Sequence, residues 1–101
     1  MLDAARDGDT LTVRLRGELD HGAAEAMRGE IDDYLADRAV RCLVLDLKDL
    51  QFMDSSGVGF VIGRYKRMAR RGGTVRVIHA DARMDRIFQM SGLYELVESK
   101  R

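Results

Sequence analysis

The chain of 101 residues lacks proline, has one cysteine and carries no net charge. Cys42 cannot form an internal disulfide, which favours a reducing compartment. Seventeen basic and seventeen acidic residues cancel, so charge does not favour nucleic acid or an anionic membrane as a partner. No apolar run approaches the ~20 residues that cross a bilayer, and the N-terminus does not have the pattern of a signal peptide. We therefore expect a cytoplasmic protein.

Repeats, low-complexity segments and linkers are also absent, which predicts a single domain over residues 1–101. A chain of this length, 46% apolar, can bury a core without metal or disulfide. Neither His21 nor His79 has a cysteine or histidine near it in sequence, so we predict no metal site and no cofactor. No long apolar exposed strand demands a dimer, and we expect the free protein to be a monomer.

Hydrophobic periodicity predicts strands that alternate with helices. The predicted strands span residues 10–16, 42–45 and 74–79, with weaker signals at 2–6 and 94–97. The predicted helices span residues 22–37, 82–90 and a segment from about 58 to the glycines at 72 and 73. The apolar run at 42–45 indicates a central strand covered on both faces, followed by a loop at 48–54. Strand–helix–strand units imply parallel pairing, so we predict an α/β fold whose small mixed sheet has four to five strands and about three helices.

The turn at residues 54–57, Asp-Ser-Ser-Gly, is the most informative segment. Its hydroxyls fall where a helix N-terminus offers free N–H groups and the positive end of its dipole. Such a serine can cap the helix, accept a phosphate or act as a nucleophile. The nucleophile is disfavoured because the chain has no G-x-S-x-G elbow and only His21 and His79 as candidate bases. Capping and phosphate acceptance both stay open for Ser55 and Ser56.

Glycines in the following helix predict a contact surface. A glycine inside a helix costs about 0.5–1 kcal/mol relative to alanine. Gly59 and Gly63 share one face with Ser56 and Phe60, away from the apolar stripe, so we expect a small surface with one exposed aromatic ring. Such a face lets another backbone approach closely.

The segment at residues 17–21 adds a second edge to this surface. Asp20 is placed to cap the first helix, because a short carboxylate accepts hydrogen bonds from free N–H groups. This segment and the serine turn each follow the carboxyl end of a strand, and we expect the two strands to be neighbours. We therefore predict that Asp20 and His21 border the same docking surface as Ser55.

Four blocks, in this order, resemble the sporulation-type anti-sigma factor antagonists, which are single-domain members of the STAS superfamily. The blocks are Gly17-Glu18-Leu19-Asp20-His21, Phe52-Met53-Asp54-Ser55-Ser56-Gly57-Val58-Gly59, Gly63-Arg64-Tyr65-Lys66 and Met90-Ser91-Gly92-Leu93. The resemblance implies a partner-switching regulator without catalysis of its own. In this family the unphosphorylated antagonist binds an anti-sigma factor that is also a serine kinase, and a sigma factor is released.

The resemblance also assigns the site. The kinase phosphorylates the first serine of the Asp-Ser-Ser-Gly block, which is Ser55 here, and a phosphoserine phosphatase resets the protein. We therefore predict Ser55 as the switch and Ser56 as the capping serine. The predicted docking surface comprises Asp20, His21, Asp54, Ser55, Ser56, Gly57, Gly59, Phe60 and Gly63.

No arginine is close to Ser55 in sequence, and Lys48 is the nearest cation. We therefore expect little internal rearrangement on phosphorylation, with the phosphate acting at the interface by bulk, desolvation and repulsion. Two alternatives stay open. One is a STAS interaction module of another signalling or stress complex without a Ser55 switch, and the other is a nucleotide-binding or weakly hydrolytic domain.

Overall fold

The structure is a computed structural model that describes residues 1–100. Its five strands form one sheet, and their order in the sheet is the same as their order along the chain. The strands are β1 (Leu2–Asp7), β2 (Thr10–Leu19), β3 (Cys42–Met53), β4 (Thr74–Ile78) and β5 (Glu98–Lys100). The helices are α1 (His21–Leu35), α2 (Ser56–Ala69) and α3 (Ala82–Met90). β1 pairs antiparallel with β2, and the other neighbours are parallel. The predicted α/β class with a mixed sheet is confirmed.

One face of the sheet supplies the hydrophobic core. Leu43 on β3 is in register with Leu11 on β2 and Val75 on β4, and all three are buried. Buried residues of the helices, such as Ile31 of α1 and Phe88 of α3, belong to the same cluster. Each such side chain contributes about 1.5–3 kcal/mol when it is fully buried. The core therefore fixes the sheet and the helices as one unit.

The opposite face of the sheet is polar. Val44 is buried but lies outside the core cluster, with Thr12 and Arg76 as its register neighbours. Arg14 and Asp46 follow on the same face and form an ion pair. β3 is the central strand of the sheet, as predicted, and Val44 and Asp46 on its second face are buried although they lie outside the core cluster.

β3 continues through residues 48–53, which were predicted to be a loop. In this part of the strand Leu47, Leu50 and Met53 are buried, so the apolar spacing is three and not two. Pairing with β2 shifts register twice, each time with an extra residue on β3. A β-bulge of this kind breaks the alternation of a strand. The loop prediction was wrong because the bulges hide the strand pattern.

The predicted edge strand at residues 94–97 is also wrong. A short 3-10 helix occupies Leu93–Glu95, and the edge strand β5 comes later, at Glu98–Lys100. Gly92 has a φ of 78°, in the left-handed region, and ends α3 as the sequence indicated. The chain turns there so that Leu93 and Val97 reach the core. The weakly supported first strand is present as β1.

Candidate partner-docking site

The carboxyl ends of β2 and β3 lie level, which brings two predicted site segments together. Leu19 and Met53 are paired in register, and Asp20 and Asp54 are the next residues of each chain segment. His21 begins α1, and it lines the same groove as Ser56 at the start of α2. The structure therefore places the two segments side by side, as the sequence argument expected.

Carboxylates cap both helices at this edge. Oδ1 of Asp20 accepts the N–H of Ala23 at 2.9 Å, as predicted for α1. At α2, Oδ1 of Asp54 accepts the N–H of Ser56 at 2.8 Å. Ser55 occupies the N-cap position, but its side chain makes no capping hydrogen bond within residues 1–100. The prediction that Ser56 caps α2 with its hydroxyl is therefore wrong, because the neighbouring carboxylate supplies the cap.

The Ser55 hydroxyl is presented at the surface. The residue is exposed, and its backbone carbonyl already accepts the N–H of Val58 at 3.1 Å as α2 begins. Ser56 is half-buried, so the two serines differ in accessibility. Ser55 is thus the more accessible hydroxyl of the pair to a kinase, and the helix start does not depend on its side chain.

The three glycines of α2 divide into two kinds. A Cβ on Gly57 would collide with the buried side chain of Met53, so close packing requires glycine there. A Cβ on Gly59 or Gly63 would meet no atom within 4 Å. Internal packing therefore explains Gly57 and leaves the helix cost of the other two unexplained. Gly57 is buried support for the turn, and Gly59 and Gly63 leave open space on the surface.

That open space forms a groove between α1 and α2, with a volume of about 330 Å³. The residues that line it are His21, Ala24, Glu25, Arg28, Ser56, Gly59, Phe60, Gly63 and Arg64. Phe60 keeps only 6% of its surface exposed, so the prediction of an exposed aromatic ring is wrong. The side chain belongs to the core cluster and also lines the groove, as do Gly59 and Gly63.

A buried arginine joins α2 to α1 at the rim of the groove. Arg64 is only 7% exposed in its side chain, and its Nε lies 3.0 Å from Oδ1 of Asp32. The direction of this contact does not meet hydrogen-bond geometry, so it is an ion pair. Burial lowers the pKa of Arg64, Asp32 opposes that effect, and Arg28 and Arg67 add to it. Arg64 also stacks on Phe60, with Cζ 5.6 Å from the ring centre.

A second arginine, on α3, contacts the end of β3 just before the serine turn, and sequence reasoning missed it. Nη1 of Arg83 lies 3.4 Å from the carbonyl oxygen of Met53, and its Cζ is 5.3 Å from the centre of the Phe52 ring. Lys48 was predicted to be the cation nearest to Ser55, but in the structure Arg83 contacts the residues just before the turn. A signal was present, since arginine in the first turn of a helix is electrostatically unfavourable.

Asp46 is held on the polar face of the sheet, away from the groove. Its side chain is 5% exposed, and its oxygens lie 2.8 Å from Nδ1 of His79 and 3.4 Å from Nε of Arg14. Burial alone would raise the pKa of Asp46, but the bonds from His79 and the Lys48 N–H, with the nearby positive charges, lower it overall. His79, which directly follows β4 and has a φ of 61°, therefore has a structural role beside Asp46.

Within residues 1–100, no group of three or more histidine, cysteine or acidic side chains is placed to hold a metal ion. Across that same part of the chain, no helix has the length and apolar character needed to span a membrane. The features that the site does offer are an exposed hydroxyl, two carboxylates at helix starts and a groove.

The sheet order, the serine turn and the groove define a regulatory binding domain of the STAS type. A model of the STAS domain matches residues 1–101, and the chain belongs to this family. It is 42% identical over 87 residues to an anti-sigma F factor antagonist of Paenibacillus polymyxa, covering 86% of this chain and 74% of the relative. The resemblance drawn from the four sequence blocks is confirmed.

Two solved structures share the fold over the whole chain. The unphosphorylated form of the anti-sigma factor antagonist SpoIIAA has a TM-score of 0.85 and 31% identity, and 89% of it is covered. The phosphorylated form of the Bacillus cell fate determinant SpoIIAA has a TM-score of 0.78 and 32% identity, with 92% covered. This chain is therefore similar to an antagonist that exists in two phosphorylation states.

Proposed function

We propose that this chain is an anti-sigma factor antagonist that phosphorylation of Ser55 switches off. The unphosphorylated form binds an anti-sigma factor serine kinase, and a sigma factor is released. The kinase then phosphorylates Ser55, binding is lost, and a phosphoserine phosphatase restores the protein. The similarity to anti-sigma F factor antagonists and to both forms of SpoIIAA supports this cycle.

The proposal rests on one observation, the exposed Ser55 hydroxyl that takes no part in capping α2. A phosphate can be added there without removing a hydrogen bond from the helix start. The free N–H groups and the dipole of α2 also tolerate negative charge at that end. The protein thus acts as a kinase substrate and binding module with no catalysis of its own. In this proposal the protein is monomeric when free and acts in the cytoplasm.

The docking surface consists of the serine turn, the Asp20–His21 segment and the groove between α1 and α2. Gly59 and Gly63 leave room at the groove for a backbone of the kinase to approach α2 closely. Gly57 and Phe60 act from below, since both are buried and hold the turn and the groove floor. The surface is therefore small and shape-dependent.

A phosphate on Ser55 disrupts docking through charge and bulk. It adds about −1.5 to −2 charges beside Asp54 and in the middle of the proposed contact area. Like charges brought together, and a dianion that loses its water, cost several kcal/mol at an interface. Since 1.4 kcal/mol is about tenfold in affinity, the phosphate weakens binding by orders of magnitude.

The test is to incubate the full chain with its cognate kinase and ATP and to map the phosphate by mass spectrometry. We expect stoichiometric phosphate on Ser55. Ser55→Ala should bind the kinase but remain unphosphorylated, Ser55→Asp should bind less tightly, and Ser56→Ala should still be phosphorylated. Phosphate on Ser56 alone, or on neither serine, contradicts the assignment.

The same experiment separates the alternatives. If the chain is a STAS module of another complex without the switch, the Ser55→Ala and Ser55→Asp variants should bind its partner equally well. A nucleotide-binding domain would show saturable binding of nucleotide to the protein alone, which a titration measures directly. Binding that depends on the state of Ser55, with no nucleotide binding, supports the antagonist.

A further inference from the structure

Arg83 is a cation beside the serine turn, and it has no acidic partner within residues 1–100. Its contacts are the 3.4 Å hydrogen bond to the carbonyl of Met53 and the stacking on Phe52. None of the ion pairs formed among residues 1–100 includes it. A donor–acceptor distance of 3.4 Å is long for an N–H···O bond, so the guanidinium is held loosely. Arg83 is also exposed, and it can exchange this contact for a better one.

The position of Arg83 is unfavourable for its own helix. It lies in the first turn of α3, where the helix dipole disfavours a cation by about 0.3–1 kcal/mol. The cap of α3 does not need it, because Oδ1 of Asp81 accepts the N–H of Met84 at 2.8 Å. The folding of α3 thus gives no reason for an arginine at this position. The contact of Arg83 with the residues just before the serine turn does give one.

Ser55 is two residues beyond Met53. Consecutive Cα atoms are about 3.8 Å apart, so the Cα of Ser55 is within about 7.6 Å of the Cα of the residue whose carbonyl Arg83 already contacts. A phosphoserine reaches further from the backbone than serine, and the arginine side chain is long and flexible. Arg83 also approaches from α3, which follows β4, the strand next to β3. The phosphate and the guanidinium therefore share one edge of the sheet.

We propose that Arg83 is a positioning residue that pairs with the phosphate on Ser55 in the switched-off form. This inference rests on the proposed function, because it assumes that Ser55 carries the phosphate. The guanidinium leaves the Met53 carbonyl and donates two parallel N–H bonds to phosphate oxygens, the geometry that arginine favours with phosphate. The phosphate is then held in one orientation over the serine turn. In the switched-off state, docking is therefore opposed by a phosphate of fixed orientation as well as by the added charge.

The experiment measures the second pKa of the phosphate, which is about 6 for a free phosphoserine. Phosphoserine is incorporated at position 55 during translation of the full chain, and the protein is titrated with detection by ³¹P NMR. Pairing with Arg83 favours the dianion and lowers this pKa. We expect Arg83→Gln to raise the pKa by about half a unit, the size of an ion pair open to solvent.

Two matched controls locate the effect. Arg86 is an exposed arginine on the same helix, and Lys48 is the cation nearest in sequence. Neither Arg86→Gln nor Lys48→Gln should change the phosphate pKa measurably. An unchanged pKa in Arg83→Gln, or an equal rise in either control, overturns the proposal. Arg83→Lys keeps the charge without the paired donors, and it should restore only part of the shift.

The result does not depend on the kinase. If the cognate kinase fails to modify Ser55, the proposed function fails, but the phosphate installed by translation still tests Arg83. If the kinase modifies Ser55 and Arg83→Gln leaves the pKa unchanged, only the present inference fails. Amide NMR spectra of the unphosphorylated variants verify folding, and Arg83→Lys supplies the comparison if Arg83→Gln is unfolded.

Discussion

The Asp54 carboxylate accepts the backbone N–H of Ser56, with 2.8 Å between Oδ1 and the nitrogen. The first turn of α2 is therefore capped by the residue before the serine pair, and not by either hydroxyl. This arrangement separates two tasks that the Asp-Ser-Ser-Gly sequence leaves mixed. Asp54 holds the helix start, and the exposed Ser55 hydroxyl makes no capping bond there within residues 1–100.

We expect Asp54→Ala to destabilise the protein by about 1 kcal/mol, the usual net value of one hydrogen bond, because the N–H of Ser56 loses its acceptor. Ser55→Ala and Ser56→Ala should change the free energy of unfolding by less than about 0.5 kcal/mol, as for surface positions without special contacts. Urea denaturation followed by circular dichroism measures all three. A larger loss for Ser56→Ala than for Asp54→Ala would show that the hydroxyl caps the helix after all.

Gly59→Ala and Gly63→Ala should have opposite effects on stability and on binding. Each should stabilise the free protein by about 0.5–1 kcal/mol, because alanine is favoured in a helix and its Cβ meets no atom here. Each should weaken binding to the kinase by about tenfold, equivalent to 1.4 kcal/mol, because the methyl group occupies the approach space. Thermal denaturation and calorimetric titration measure the two effects.

The chain offers matched controls for these two glycines. Gly29 is exposed on α1 and its Cβ would also meet no atom within 4 Å, so Gly29→Ala should stabilise the protein and leave binding unchanged. Gly57→Ala should destabilise it, because the new Cβ collides with Met53. If Gly59→Ala and Gly63→Ala behave like Gly29→Ala, the groove is not part of the docking surface.

The sequence predicted those parts of the site that depend on local chemistry. Asp20 could be recognised as a cap because its hydrogen bond to Ala23 lies within one helix turn. The burial of Phe60 could not be predicted from its helix face, since it depends on how closely α1 packs against α2. Arg83 was missed because it lies on α3, 30 positions along the chain from Met53, the residue whose carbonyl it contacts.

The stability of the protein should fall in acid partly through Asp46. Its pKa is below the usual value in the folded state, so the carboxylate stabilises the fold above its unfolded pKa of about 3.9. That contribution is lost as pH falls through the lower, folded value. We expect Asp46→Asn to cost about 1–2 kcal/mol at neutral pH and to flatten the unfolding profile below about pH 4.

A neighbouring acid on β3 supplies the control for Asp46. Asp49 lies on the same strand, is 44% exposed and is 3.8 Å from Arg14, so Asp49→Asn should change the profile little. Urea denaturation between pH 3 and pH 7 distinguishes the two variants. An equal acid dependence in the native protein and in Asp46→Asn would mean that other carboxylates cause it.

Asp32→Asn should destabilise the packing of α1 against α2, because it leaves Arg64 buried without its counter-charge. Loss of one partner of a fully buried pair costs about 3–5 kcal/mol, and we expect about 2–3 kcal/mol here because Asp32 is partly exposed. Asp33→Asn, at an exposed position next to it, is the control. Replacing Arg64 with leucine in the Asp32→Asn background should recover part of the loss, and no recovery would argue against the ion pair.

The length of β3 has a consequence for how such a domain changes during evolution. β4 pairs with β3 only as far as Asp46, whereas β2 pairs with it as far as Met53. The serine turn thus stands at the end of a two-stranded extension, beyond the part of the sheet that three parallel strands hold together. Exposed residues at this tip, such as Ser55, can be replaced with little effect on the folding of the base, whereas buried ones such as Met53 belong to the core. A lineage can therefore acquire a new partner at the tip while it inherits the same folded base.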